Sequence, residues 1–196
     1  HQTLPVGQLH ITDTGTSFKV KNSQVDWHLL GEHNMQNGLS AIYASHHIGV
    51  PFEVACEALN QFKGVKRRLE IKYQTDKVTL YDDFAHHPSA IQTTLSGLRN
   101  KVGKDPIVAI VEFRSNTMKS GVHQQTLVDS LKEADQVFIL RPSNSDWNID
   151  TLFKDCNLFN SVDELVDSLS LFQQGHLVVM SNGSFDNIFN KLIKNL

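Results

Sequence analysis

No stretch of this 196-residue chain approaches the ~20 consecutive apolar residues that a helix needs to cross a bilayer, and its first residues carry no signal-peptide pattern. Neither sign of charge is in excess. Lys+Arg total 18 and Asp+Glu 21, a net charge of −3, which gives no electrostatic footing for a nucleic-acid partner. Cysteine is scarce: Cys56 and Cys156 lie far apart and form no CxxC, which reads as two inert thiols in a reducing cytoplasm rather than a disulfide or zinc framework. GxSxG and GxGxxG are both missing, and so is G-x-x-x-x-G-K-[ST]. The sole Gly-Lys step, Gly103-Lys104, runs into Asp105-Pro106. The chain therefore has no nucleophile elbow and no phosphate-cradling P-loop of its own. With 40% hydrophobic and 20% charged residues, the remaining composition is that of an ordinary soluble protein, long enough for one large domain or two small ones.

The patterning divides the chain. Residues 9–30 read as a small β-meander, with LHITDT, TSFKVK and VDWHLL as short, partly alternating runs. Asn34–Ile48 then has helical spacing through Leu39, Ile42, Tyr43 and His46, with Gly49 as its stop. Pro51 suits the first turn of a second helix running to about Phe62. LEIKY and KVTLY follow as strands. From Lys77 the rhythm is strand, helix, strand, helix. KVTLY, PIVAIVEF, QVFIL and HLVVM are buried strands, separated by helices over 89–101, 121–134 and 161–172, with a last helix over 184–196. Ser161 with Glu164 three residues on is a capping box. This alternation predicts an α/β fold with a mostly parallel, doubly wound sheet, preceded by the meander and its helices. The boundary is expected near residues 64–72, giving parts 1–68 and 69–196.

In such a sheet, ligands sit beyond the carboxyl ends of the strands. Four polar clusters fall there: DDFAHHP after KVTLY, RSNTMKSG after IVEF, RPSNSDW after VFIL and SNGS after LVVM. Strand–helix loops are generally polar, but four such clusters together favour an edge that binds a polar ligand. Asp82 and Asp83 also suit the simple task of capping the next helix. His86 and His87 are adjacent and cannot easily both face one ion, and no third and fourth ligand follow at zinc spacing. Arg67 with Arg68, and Arg114 with Lys119, read as solvated cations unless a phosphate or carboxylate must be held. His46-His47 reads as helix surface.

Three stretches in fixed order, GEHNMQNGLSA, FKGVKRRLE and YDDFAHHPSAI, resemble the Mur ligases of bacterial cell-wall synthesis. The resemblance covers the whole chain. It implies that residues 1–68 end a central ATP-binding domain and that 69–196 form a Rossmann-like C-terminal ligase domain. Starting at His1, the chain is expected to be a processed product or a fragment. The P-loop, the Mg²⁺ ligands and the UDP-sugar domain would lie upstream, so no metal ligand is expected in this chain and no catalysis by it alone. FRSNTMKSG, the Trp147 loop and SNGSF most resemble the branch that joins the tripeptide L-Ala-γ-D-Glu-meso-diaminopimelate to UDP-N-acetylmuramate in peptidoglycan recycling. The alternatives are the branch adding a single L-alanine and a non-catalytic nucleotide- or peptide-binding module.

The implied roles follow residue by residue. Asn37, with His33 and Asn34, would meet adenine, since an amide offers both a donor and an acceptor. Asp83, beside Asp82, would accept from the ribose hydroxyls. Arg68 would reach the ATP phosphates, and His86 would face the reaction centre. Arg114, Asn116 and Lys119 would meet the peptide's carboxylates, with Arg141 and Asn144 reading diaminopimelate. ATP and Mg²⁺ are the implied cofactors, UDP-N-acetylmuramate and the murein tripeptide the partners, and the bacterial cytoplasm the location.

Overall fold

The computed structural model describes residues 10–12, 15–27, 29, 32–113, 124–142 and 148–196. They form two compact units. The first comprises the described residues up to Val65, with Asn100–Val102; the second is Lys66–Arg99 with Gly103–Leu196.

The first unit opens with an antiparallel meander of β1 (His10–Thr12), β2 (Gly15–Val20) and β3 (Ser23–Trp27). Alternation selects its inner face: Phe18, Val20, Val25 and Trp27 are buried, while Lys19, Gln24 and Asp26 point out. Helix α1 (Glu32–His47) adds Met35, Leu39 and Ile42 at helical spacing, and α2 (Phe52–Gln61) adds Phe52 and Cys56. Tyr43 is only half-buried. His46 is exposed, stacked on Phe52 at 3.8 Å and donating through Nδ1 to the Val50 carbonyl. Gly38 is a packing requirement, because a Cβ there would lie 2.9 Å from both Leu59 and Trp27. Pro51 stands just before α2 in an extended conformation (φ −60°, ψ 146°) rather than inside its first turn.

The second unit is built on a six-stranded sheet in the order β4-β5-β9-β6-β7-β8. Its strands are β4 (Glu70–Gln74), β5 (Val78–Asp83), β6 (Ile107–Glu112), β7 (Gln136–Leu140), β8 (Asn157–Phe159) and β9 (Gly175–Met180). Only β4 runs antiparallel, with a register shift between Ile71 and Tyr73; every other pairing is parallel. This is the mostly parallel α/β sheet that the apolar runs predict. The helices are α3 (Pro88–Val102), α4 (Gln124–Ser130), α5 (Ile149–Leu152), α6 (Val162–Ser168) and α7 (Ile188–Asn195). Leu80, Ile110, Leu165, Leu177, Val179, Phe185 and Ile188 pack into one core. The Ser161 hydroxyl accepts from the Glu164 N–H, as a capping box requires, but the Glu164 carboxylate reaches back to the N–H of Asn160, one residue before the cap.

Two features depart from the sequence pattern. The last helix is not continuous over 184–196: Phe185, Asp186 and Asn187 have φ of 46°, 43° and 57°, and α7 begins only at Ile188. Phe185 is almost fully buried by this turn, and Lys191 bridges Asp186 and Asp163. β8 and α5, three and four residues long, were not expected at all.

At the amino ends of β6 and β7, the Arg99 guanidinium donates to the carbonyls of Gly103, Asp105 and Glu133, each at 2.9 Å, and to Asp135 at 2.7 Å. Asp135 also accepts from the Ile107 N–H. Gly175 begins β9 with φ 121°, and a Cβ there would stand 2.5 Å from the Pro106 carbonyl oxygen.

Candidate functional site

Parallel register brings four strand ends to one edge. Asp83 of β5 lies opposite Met180 of β9, Val111 of β6 lies opposite Met180, and Glu112 of β6 lies opposite Leu140 of β7. The ends of β5, β6, β7 and β9 therefore meet at the sheet's carboxyl edge, where ligands of open α/β sheets bind. Residues 114–123 and 143–147 lie outside the described residues, and with them the expected site residues Arg114, Asn116, Lys119 and Asn144.

Asp82 and Asp83 end β5 as buried carboxylates, 5% and 2% exposed. Asp83 Oδ1 accepts from the Ala85 N–H at 2.7 Å and the Thr94 hydroxyl at 3.2 Å; Oδ2 accepts from the Leu69 N–H at 2.8 Å. Burial raises its pKa above the ordinary carboxylate value, against the lowering pull of these hydrogen bonds and of the Arg68 charge. A ribose contact at Asp83 has to be made beside, or in exchange for, those three donors. Asp82 Oδ1 accepts from Arg67 Nε at 3.1 Å. Neither aspartate is the N-cap of α3. That position is held by His87, whose side chain makes no capping bond, with Pro88 opening the helix.

Arg67, set aside in the sequence as half of a solvated pair, is the hub of this edge. Its Nη2 donates to the Ser181 carbonyl at 2.6 Å, and its guanidinium lies 5.1 Å from the Phe84 ring centre. Arg68 is exposed. His86 donates through Nδ1 to the Phe84 carbonyl and sets its ring edge-on to Phe84 at 5.4 Å.

At the centre of the edge, the Ser181 hydroxyl donates to Glu112 at 2.5 Å and accepts from the Gly183 N–H at 2.9 Å. Asn182 Oδ1 is buried with no hydrogen-bond partner among the described residues, an acceptor without a donor. Sequence reasoning located SNGS but not Glu112. Its one signal was a carboxylate closing an otherwise apolar strand.

The remaining expected residues divide. Arg141, after β7, holds Asp150 in a two-pronged pair, both bonds at 2.6 Å, and this hydrogen bonding keeps the Asp150 carboxyl below its usual range. A substrate carboxylate at Arg141 has to compete with Asp150. His33, Asn34 and Asn37 lie in the first turns of α1, in the first unit, with Asn34 half-buried and the other two exposed. Among the described residues no three His, Cys, Asp or Glu side chains are grouped to hold a metal ion. No described helix is long and apolar enough to cross a membrane.

Comparison with known proteins adds to this geometry. A Haemophilus influenzae UDP-N-acetylmuramate–L-alanyl-γ-D-glutamyl-meso-2,6-diaminoheptandioate ligase is 44% identical over 95% of this chain, which spans 44% of that protein's length. The crystal structure of a murein peptide ligase from Psychrobacter arcticus 273-4 superposes with a TM-score of 0.71 at 34% identity, covering 92% of this chain and 41% of the other. A separately crystallised domain from a Haemophilus ducreyi 35000HP protein, assigned to the same ligase class, is 37% identical with a TM-score of 0.53; it covers 64% of this chain, and 97% of that domain is matched. The family model "Mur ligase, glutamate ligase domain" matches residues 67–183, a span that begins at Arg67 and takes in all six strands of the second unit's sheet. On that match, the chain belongs to the Mur ligase family.

Proposed function

We propose that this chain is the C-terminal portion of an ATP-dependent ligase that joins L-alanyl-γ-D-glutamyl-meso-diaminopimelate to UDP-N-acetylmuramate in the bacterial cytoplasm, as part of peptidoglycan recycling. The observation that carries this reading is the 44% identity to a ligase of that description across 95% of the chain. Residues 1–68 are read as the end of the ATP-binding domain and 69–196 as the ligase domain.

The chemistry runs in two displacements. The carboxylate of UDP-N-acetylmuramate attacks the γ-phosphorus of ATP and ADP leaves. The tripeptide's amine then attacks the acyl carbonyl, and phosphate departs as the amide forms. Much of the protein's work in such a reaction is positioning and charge stabilisation. His33, Asn34 and Asn37 are assigned to adenine. The exposed guanidinium of Arg68 is assigned to the ATP phosphates, where its planar fork suits two oxygens at once. Asp83, with Asp82 beside it, is assigned to the ribose hydroxyls, and His86 to the reaction centre. Arg114, Asn116, Lys119, Arg141 and Asn144 are assigned to the peptide. Mg²⁺ would neutralise phosphate charge in the whole enzyme, held by residues other than those described here.

The test is a competition on full-length enzyme supplied with equal concentrations of L-alanine and the tripeptide. The tripeptide's several carboxylates can engage cations that one alanine leaves unused. Two such charge-assisted contacts are worth on the order of a hundredfold in specificity. Equal or greater incorporation of alanine would reject the recycling substrate while leaving the ligase reading intact.

A further inference from the structure

We infer that Arg67 is a positioning residue: its pairing with Asp82 fixes the segment Arg67-Arg68-Leu69 so that Arg68 is presented to the phosphate. The two adjacent aspartates at the end of β5 serve as receptors for that segment. The kinetic consequences rest on the ligase reading given above; the geometry does not.

Arg67 and Leu69 have φ of 59° and 47°. These are left-handed conformations that non-glycine residues keep only where their surroundings impose them. Here the surroundings do so from both sides of Arg68. On one side, the Arg67 N–H donates to Glu70 Oε2 at 2.9 Å and the Arg67 carbonyl accepts from the Phe84 N–H at 2.8 Å. The Arg67 side chain spans Asp82 Oδ1 and the Ser181 carbonyl, tying the segment to β5 and to the end of β9. On the other side, the Leu69 N–H is held by Asp83 Oδ2. The adjacent aspartates thus take the residues flanking Arg68, one each. Arg68 is exposed, and its charge bears on Asp83 without a hydrogen bond or salt bridge between them.

This arrangement answers why two carboxylates stand together and why an arginine precedes Arg68. A long, solvated cation loses conformational freedom when it orders on a ligand. Fixing its backbone beforehand removes part of that loss. Lysine at 67 could reach a carboxylate or a carbonyl, but it lacks the planar fork that engages both at once.

The test uses the full-length enzyme with Arg67→Ala, Arg67→Lys, Asp82→Asn, Arg68→Ala and the double variant Arg67→Ala/Arg68→Ala. Arg67→Ala is expected to lower kcat about tenfold with the KM for ATP changed less than about twofold, since the loss falls on a contact that tightens during phosphoryl transfer. Asp82→Asn, which keeps shape and loses charge, should give the same signature, and Arg67→Lys should recover part of kcat. The double variant should match Arg68→Ala alone, because Arg67 acts through Arg68. Losses that multiply in the double variant would overturn the proposal, as would an Arg68→Ala enzyme with unaltered kcat. Wild-type enzyme that joins no peptide would reject the ligase reading instead. In that event hydrogen exchange decides: Arg67→Ala must open the Leu69 amide while those of β6 stay protected, and an unchanged Leu69 amide sinks the proposal.

Discussion

Arg99 with Asp135 and Arg67 with Asp82 lie at opposite edges of the same parallel sheet, with closest approaches of 2.7 and 3.1 Å. At the amino edge the arginine is the buried partner and its aspartate is half in solvent: Arg99 is 21% exposed and Asp135 54%. At the carboxyl edge the order is reversed, with Arg67 at 29% and Asp82 at 7%. Arg99 spends its donors on three loop carbonyls and one carboxylate, so its work is to close turns. Arg67 spends its donors on a carboxylate and one carbonyl, beside an exposed second arginine. The same ion pair thus serves the fold at one edge and display of a charge at the other.

Substitutions separate the two edges, and the largest expected effect is at the amino edge. Gly175→Ala puts a methyl against the Pro106 carbonyl at a φ of 121°, and should cost about 3 kcal/mol or more in urea unfolding. Arg99→Ala should follow at about 2 kcal/mol, since three carbonyls and Asp135 lose a donor but lie near enough to water to recover part of it. Arg67→Ala leaves the buried Asp82 carboxylate without that donor and should cost about 1–2 kcal/mol of stability, while lowering kcat of the full-length enzyme about tenfold. A larger stability loss from Arg67→Ala than from Arg99→Ala would remove the distinction.

The smallest effect is in pH dependence, where the edges have opposite signs. Asp135 is raised by partial burial but lowered further by the Ile107 N–H and Arg99, for a net decrease. Its stabilisation is present above the ordinary carboxylate pKa of ~4 and is lost as pH falls through the depressed value. Asp83 is raised. Its contribution is present below ~4 and is lost as pH climbs through the elevated value. The penalty of Asp135→Asn should therefore shrink on acidification from neutral pH, and that of Asp83→Asn should shrink on going from acid to neutral. Parallel trends in denaturation midpoints would contradict the assignment.

What could be read from the sequence follows from what makes a signal there. β5, β6 and β9 are buried almost throughout and β7 at its centre, so they appear as continuous apolar runs between helical stretches. β8 has three residues and α5 four, too few for a period to register. The turn at Phe185–Asn187 needs left-handed backbone, but no glycine marks it. The same is true of Arg67 and Leu69, whose conformations are imposed by Asp82, Asp83 and Glu70 from elsewhere in the chain. The carboxyl edge was legible as a place, because topology alone puts parallel strand ends together. Asp82 and Asp83 were legible as members of that edge. That they face inward, toward Arg67 and Leu69, depends on a fold that no spacing encodes.

The β4 strand carries a consequence for association between molecules. A sheet edge offers unpaired N–H and C=O groups to any other extended chain. Here that edge is short and alternates Glu70 and Lys72 with Ile71 and Tyr73, and its register slips between Ile71 and Tyr73. The slip twists the strand away from the straight line that a foreign strand would need. The charged pair makes stripping water from that face costly. At the far side β8 offers only three residues. A sheet with a strongly apolar interior thus ends on both sides in edges that resist templating, which favours a protein that stays dispersed when crowded with copies of itself.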